Sequence, residues 1–97
     1  MRSLSEIKQT IKINRDYLSS HYDVKNISVF GSYAKRTQTS DSDLDLLVEF
    51  TKPVSLLKLI ALENYLSDIL AVKVDLVPKG NIRKELKDTI VQEALSL

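Results

Sequence analysis

Apolar residues along this chain keep two different periods, and the switches between them mark out its elements. Leu4, Ile7, Ile11 and Leu18 recur at helical spacing, which predicts a first helix from Leu4 to Leu18. Ser3 or Ser5 can cap its start. Ile27, Val29 and Phe30 then read as a short strand ending at Gly31, with Ser32 to about Lys35 as the first turn of a helix. Thr37 to Ser42 is polar and reads as a loop. From Asp43 to Phe50 the alternation is clean: Leu44, Leu46, Val48 and Phe50 share one face, and Asp43, Asp45, Leu47 and Glu49 share the other. Pro53 stands where a helix can begin, and Leu56, Leu59, Ile60, Leu66 and Ile69 carry that helix forward. Val72, Val74 and Leu76 alternate with Lys73, Asp75 and Val77 as a third strand, closed by Pro78 and Gly80. Asn81 can cap a last helix whose stripe is Ile82, Leu86, Ile90 and Ala94.

Helices thus separate the strands throughout. The fold class this implies is α/β (α+β), a small mixed sheet of about three main strands flanked by helices. The 97 residues fit one domain, residues 1–97. A domain of this size buries about 60–65% of its unfolded surface.

Composition removes whole classes of function. With 14 basic and 13 acidic residues, net charge is +1, which argues against a nucleic-acid coat or a polybasic membrane binder. The chain has no cysteine, which excludes a disulfide scaffold, a thiolate metal site and a thiol nucleophile together. Its start, Met1-Arg2-Ser3, leads into no apolar run of signal-peptide length, and no stretch is long enough to span a membrane. The expectation is a soluble cytoplasmic protein.

Chemistry concentrates between Gly31 and Asp75. Asp43 and Asp45 lie two apart on a strand, so their carboxylates leave the same face from α-carbons about 6.6 Å apart. Such a pair can approach one divalent cation or bridge two, and Mg²⁺ suits a site of few carboxylates plus substrate phosphates. Two ions about 3.5–4 Å apart can hold the attacking and leaving oxygens of an in-line displacement at phosphorus. Two solvated acids on a wet face are the plain alternative, although aspartate is depleted in strands. Asp75 occupies the polar side of the third strand and can join the pair if the two strands are neighbours. Gly31 and Ser32, between a strand and a helix, can admit a phosphate to the backbone and add a hydroxyl donor, or simply make an ordinary strand-turn-helix.

Other polar residues fit blander roles. Asp41 reads as a solvated loop acid, His21 as structural or exposed, and Lys35 with Arg36 as a solvated basic turn. Tyr17, Tyr22, Tyr33 and Tyr65 are scattered and make no stacking platform, though Tyr33 flanks Ser32 and can touch a nucleotide there. No Gly-x-x-x-x-Gly-Lys and no Gly-x-Gly-x-x-Gly occurs, so P-loop and dinucleotide chemistry lack support.

Taken together, Gly31-Ser32, the run Ser42-Asp43-Leu44-Asp45-Leu46 and the later Val74-Asp75-Leu76-Val77 resemble the DNA polymerase β-like nucleotidyltransferases. More narrowly the chain resembles their minimal members, the MntA-like antitoxins paired with HEPN-domain toxins. The resemblance implies a single minimal nucleotidyltransferase domain that transfers AMP from ATP with Mg²⁺, two ions being expected. It makes Asp43, Asp45 and Asp75 the metal-binding and catalytic acids, with Asp75 also helping to deprotonate the acceptor. It gives Gly31 and Ser32 the β- and γ-phosphates. The implied acceptor is a tyrosine hydroxyl of a HEPN-type toxin, silenced by adenylylation, and an oligomer with that partner is conceivable. Arg36 departs from the pattern, standing where glycine is usual. In the left-handed conformation that glycine can adopt, Arg36 would cost about 1–2 kcal/mol. The alternative on this ground is a catalytically weak or inactive module that neutralises its partner by contact.

Overall fold

In the computed structural model, residues 3–35, 43–79 and 95–96 are described. The polar loop through Asp41, the Arg36 departure and the last helix expected after Asn81 lie outside these residues.

The first apolar stripe folds as two helices, α1 (Leu4–Ile13) and α2 (Arg15–Tyr22). The Ser3 hydroxyl caps α1 by accepting the Glu6 N–H at 3.2 Å. The predicted single helix breaks at Asn14, whose amide side chain donates to the Thr10 carbonyl at 2.8 Å. An asparagine that bonds back to the preceding turn competes with the helical ladder, and periodicity alone does not reveal that. α2 ends at Asp23, which takes a left-handed conformation (φ 57°) that aspartate tolerates better than most residues. Lys58 donates to the Asp23 carboxylate, and Lys52 lies 3.8 Å from it, so this turn is tied to the segment after the second strand.

β1 (Val24–Phe30) runs directly into the short helix α3 (Gly31–Lys35). β2 (Leu44–Phe50) pairs antiparallel with β1, and β3 (Val74–Pro78) pairs parallel with β2 after the crossover helix α4 (Leu56–Leu70). A two-residue strand, β4 (Leu95–Ser96), adds antiparallel to the far side of β1, giving the order β3-β2-β1-β4. That fourth strand was not visible in the apolar pattern.

One face of the sheet carries the core. Ile27 and Val29 of β1, Leu44, Leu46 and Val48 of β2, and Val74 and Leu76 of β3 are all buried there. Ile7 and Ile11 of α1, Leu18 of α2 and Leu62, Leu66 and Leu70 of α4 complete the cluster. α4 begins at Leu56 and not at Pro53; Ser55 caps it, accepting the Lys58 N–H at 3.2 Å. The helix meets the core with part of the predicted stripe: Leu66 is buried and Leu59 and Ile69 pack against the core, but Leu62 and Leu70 take the places expected of Leu56 and Ile60. Leu62, Leu66 and Leu70 point inward, while Leu56 and Ile60 are 70% and 45% exposed. So many residues of this helix are apolar that spacing does not fix which of them faces the sheet.

The tyrosines are less scattered than the sequence suggests. Tyr17, Tyr22 and Tyr65 pack together, with the Tyr17 and His21 rings stacked at 4.1 Å. The Tyr65 hydroxyl donates to the Asn14 side chain at 3.1 Å, which fastens α4 to the α1–α2 junction. Burial raises the hydroxyl pKa of Tyr22 and of Tyr65. Tyr33 is 1% exposed and belongs to the hydrophobic core, so the expectation that it touches a nucleotide is overturned.

Candidate functional site

The second face of the sheet is organised in rows by the strand register. Phe30, Asp45 and Asp75 face one another across β1, β2 and β3. Ser28, Leu47 and Val77 make the next row. Asn26 pairs with Glu49 in the row beyond, where Lys79 follows the end of β3. Asp43 immediately precedes β2, two residues before Asp45, so the strand's alternation sends its side chain to the same face. The expectation that the second and third strands are neighbours is met, and the register sets Asp75 directly opposite Asp45.

Each acid sits in a different environment. Asp43 is exposed, with the Lys73 ammonium 4.0 Å from its carboxylate. Asp75 is exposed. Asp45 is half-buried, and its carboxyl pKa is raised, first by burial and then by the charges of Asp75 and Asp43. A buried carboxylate beside like charges is short of positive charge, which is the condition a divalent cation relieves.

Gly31 forms the wall beside Asp45. Its φ of +71° lies in the left-handed region, and a Cβ built there would collide with the Asp45 carboxylate oxygen and lie 3.2 Å from its Cγ. Glycine is therefore required twice, by backbone conformation and by the space the carboxylate occupies. Ser32 follows in α3, part-buried. Four of the five sequence-selected residues are thus drawn to one end of one sheet face: Gly31 touches the space of Asp45, Asp45 faces Asp75, and Asp43 shares their side.

These residues suit a magnesium ion in kind. All three acids offer hard oxygen donors, the burial and like charges around Asp45 are conditions a cation would relieve, and the absent side chain of Gly31 leaves the space that the Asp45 carboxylate occupies. Among the described residues, however, no three acidic or histidine side chains already converge tightly enough to form a complete ligand set. Substrate phosphates would have to supply the remaining oxygens, which is the usual way Mg²⁺ is held. A cavity of about 790 Å³ lined by Phe50, Pro53, Leu59 and Lys79 lies at the opposite end of β2, so concavity by itself does not mark these acids. The sequence pattern passed over Lys73, whose only signal is its place just before the third strand. No helix among the described residues is long and apolar enough to cross a membrane.

Comparison with known proteins agrees with this geometry. Residues 7–97 match the nucleotidyltransferase domain family. A relative from Methanocaldococcus jannaschii, provisionally named a protein adenylyltransferase, is 47% identical over 95 residues, covering 98% of this chain and 97% of that one. A solved structure described provisionally as a minimal nucleotidyltransferase superposes with a TM-score of 0.84 at 30% identity, covering 99% of this chain and 97% of its own. A toxin–antitoxin complex solved with AMP-PNP superposes with a TM-score of 0.75 at 27% identity, covering 93% of this chain and 70% of the other. Sequence and fold agree, and the chain belongs to the nucleotidyltransferase domain family, among its minimal members, as an enzyme of that class.

Proposed function

We propose that the protein transfers AMP from Mg²⁺-ATP to a hydroxyl, and that the acceptor is a tyrosine of a HEPN-type toxin partner, which makes it an antitoxin acting by protein adenylylation. The observation that carries this reading is the placement of Asp45 between Asp75 and Asp43 on one face, against the gap left by Gly31. The adenylyltransferase name of the Methanocaldococcus relative and the nucleotide analogue in the related toxin–antitoxin complex support it.

In this reading Asp43, Asp45 and Asp75 hold Mg²⁺, one or two ions, through their carboxylate oxygens. The metal, when bound, neutralises the triphosphate and stabilises charge developing on the leaving oxygen. Gly31 admits the β- and γ-phosphates close to the backbone, and the Ser32 hydroxyl donates to them. Asp75 takes the proton of the acceptor hydroxyl as its oxygen bonds to the α-phosphorus. The bond between that phosphorus and the bridging oxygen breaks, and pyrophosphate leaves. In this reading the partner completes the cleft around the acceptor hydroxyl. The reaction belongs in the cytoplasm, where ATP and the toxin meet.

The test is to incubate the purified protein with Mg²⁺, radiolabelled ATP and the product of the neighbouring gene, following label by gel and mass spectrometry. An AMP adduct on a partner tyrosine, lost with Asp43→Asn and Asp45→Asn, is the expected result. A stable complex that neutralises the partner without label would overturn it in favour of contact alone.

A further inference from the structure

β3 is the edge strand on its side of the described sheet, so alternate backbone N–H groups face outward instead of toward β2. Two of these are those of Val74 and Leu76, which flank Asp75. Both are satisfied by α4. The Ser67 hydroxyl accepts the Val74 N–H at 3.1 Å, and the Glu63 carboxylate accepts the Leu76 N–H at 2.9 Å. Both contacts are part-buried, where an unmade hydrogen bond is costly.

The spacing explains how one helix serves both. Residues four apart on a helix are separated by about 6 Å along its axis. Residues two apart on a parallel strand are separated by about 6.6 Å. The pairing is crossed, with the earlier helix residue on the later strand residue, so α4 runs antiparallel to β3 as a crossover helix between parallel strands must. A helix and a strand lying this way can be fastened at two points without distortion of either.

We infer that Glu63 and Ser67 are positioning residues for the reaction: they fix the strand on either side of Asp75, at the Asp75–Leu76 peptide directly and at the Lys73–Val74 peptide one residue back, and so hold its carboxylate opposite Asp45. The inference rests on the reading of Asp75 as a metal-binding acid. Neither side chain touches the substrate in this scheme. Each acts through the main chain, and Glu63 carries the larger share because its bond is charge-assisted. The same pair also shields the sheet edge from another strand, but shielding alone would leave metal affinity untouched.

The experiment compares Glu63→Ala, which removes the acceptor, Glu63→Gln, which keeps a carbonyl oxygen, and Asp75→Asn, singly and combined. Mn²⁺ affinity in the presence of AMP-PNP is read by electron paramagnetic resonance, at a temperature where thermal melts show every variant folded. Hydrogen exchange at the Leu76 amide is followed alongside. Glu63→Ala should accelerate that exchange and weaken Mn²⁺ binding about tenfold, the usual scale for a lost outer-shell partner. Glu63→Gln should restore most of the affinity, and Glu63→Ala should cost nothing further once Asp75 is Asn. Unchanged Mn²⁺ affinity in Glu63→Ala, a Gln variant as weak as Ala, or an undiminished loss on top of Asp75→Asn would each overturn the proposal. So would an Asp75→Asn chain that binds Mn²⁺ as the wild type does. If Glu63→Ala does not fold, Ser67→Ala takes its place with a smaller expected loss and faster exchange at the Val74 amide, and unchanged Mn²⁺ affinity or an undiminished loss on top of Asp75→Asn would overturn the proposal in the same way. A wild-type chain that shows this Mn²⁺ pattern yet labels no partner would refute the proposed acceptor and leave the positioning role standing.

Discussion

Asp45 and Glu49 hang from the same face of the same strand, yet their protonation moves in opposite directions. Glu49 lies at the end where Asn26 donates to it at 3.2 Å and Lys79 and Lys25 stand 3.8 and 3.9 Å away. The Asn26 hydrogen bond, followed by the lysine charges, holds its carboxyl below the usual glutamate range. Asp45 is deeper, and burial first, then the charges of Asp75 and Asp43, push its carboxyl up. One strand therefore carries a finished carboxylate at one end and an unfinished one at the other. Among the described residues no cation pairs with Asp45, and that is the setting in which a bound cation would be most stabilising.

The largest break in this comparison should be catalytic. Asp43→Asn or Asp45→Asn is expected to lower AMP transfer at least about a thousandfold, equivalent to about 4 kcal/mol of barrier. Glu49→Gln should change the rate little, since its carboxylate is already matched by its neighbours. Initial rates with a common partner preparation separate the two.

Gly31→Ala should come next. The left-handed backbone costs a non-glycine residue about 1–2 kcal/mol, and the new methyl group must also displace the Asp45 carboxylate. Urea melts measure the first effect. A fall in transfer larger than the folded fraction accounts for measures the second.

The smallest effect concerns pH in the absence of metal. A raised carboxyl pKa means that folding disfavours the ionised form of Asp45. Its contribution is most favourable below the unfolded value and declines as pH rises through the higher folded one. Glu49 has the opposite sign, its stabilisation being present above its unfolded value and lost as pH falls through the folded one. In EDTA at pH 7, Asp45→Asn should therefore melt higher than wild type and Glu49→Gln no higher. Thermal melts from pH 3 to pH 7 check both, and salt should shrink the Glu49 effect because that group is at the surface.

The acidic end of the sheet was legible because its signals are local. Asp43 and Asp45 interrupt an apolar alternation, Gly31 punctuates a strand, and Asp75 repeats the pattern one helix later. Whatever depended on distant partners was not. The break at Asn14 turns on a side chain bonding back to Thr10. The facing of α4 turns on which of its many apolar residues meets the sheet. The tyrosine cluster joins α2 to a helix more than forty residues later. Glu63 and Ser67 look like wet helix positions until β3 is laid beside them.

The pairing of β4 with β1 has a kinetic consequence. It joins Ser28 to Ser96, a separation of 96 − 28 = 68 residues, whereas β1 and β2 meet across a short connection. Contacts so far apart in sequence close late, because the chain must surrender loop entropy before the bonds return anything. During synthesis Ser28 and Val29 of β1 wait for nearly the last described residues before they gain these outer partners. Until then, a strand leading straight into Gly31 offers an open ladder to any other chain nearby. Refolding at rising protein concentration should therefore lose yield to association before the final strand docks, and the slowest refolding phase should report on Ser28 and Val29.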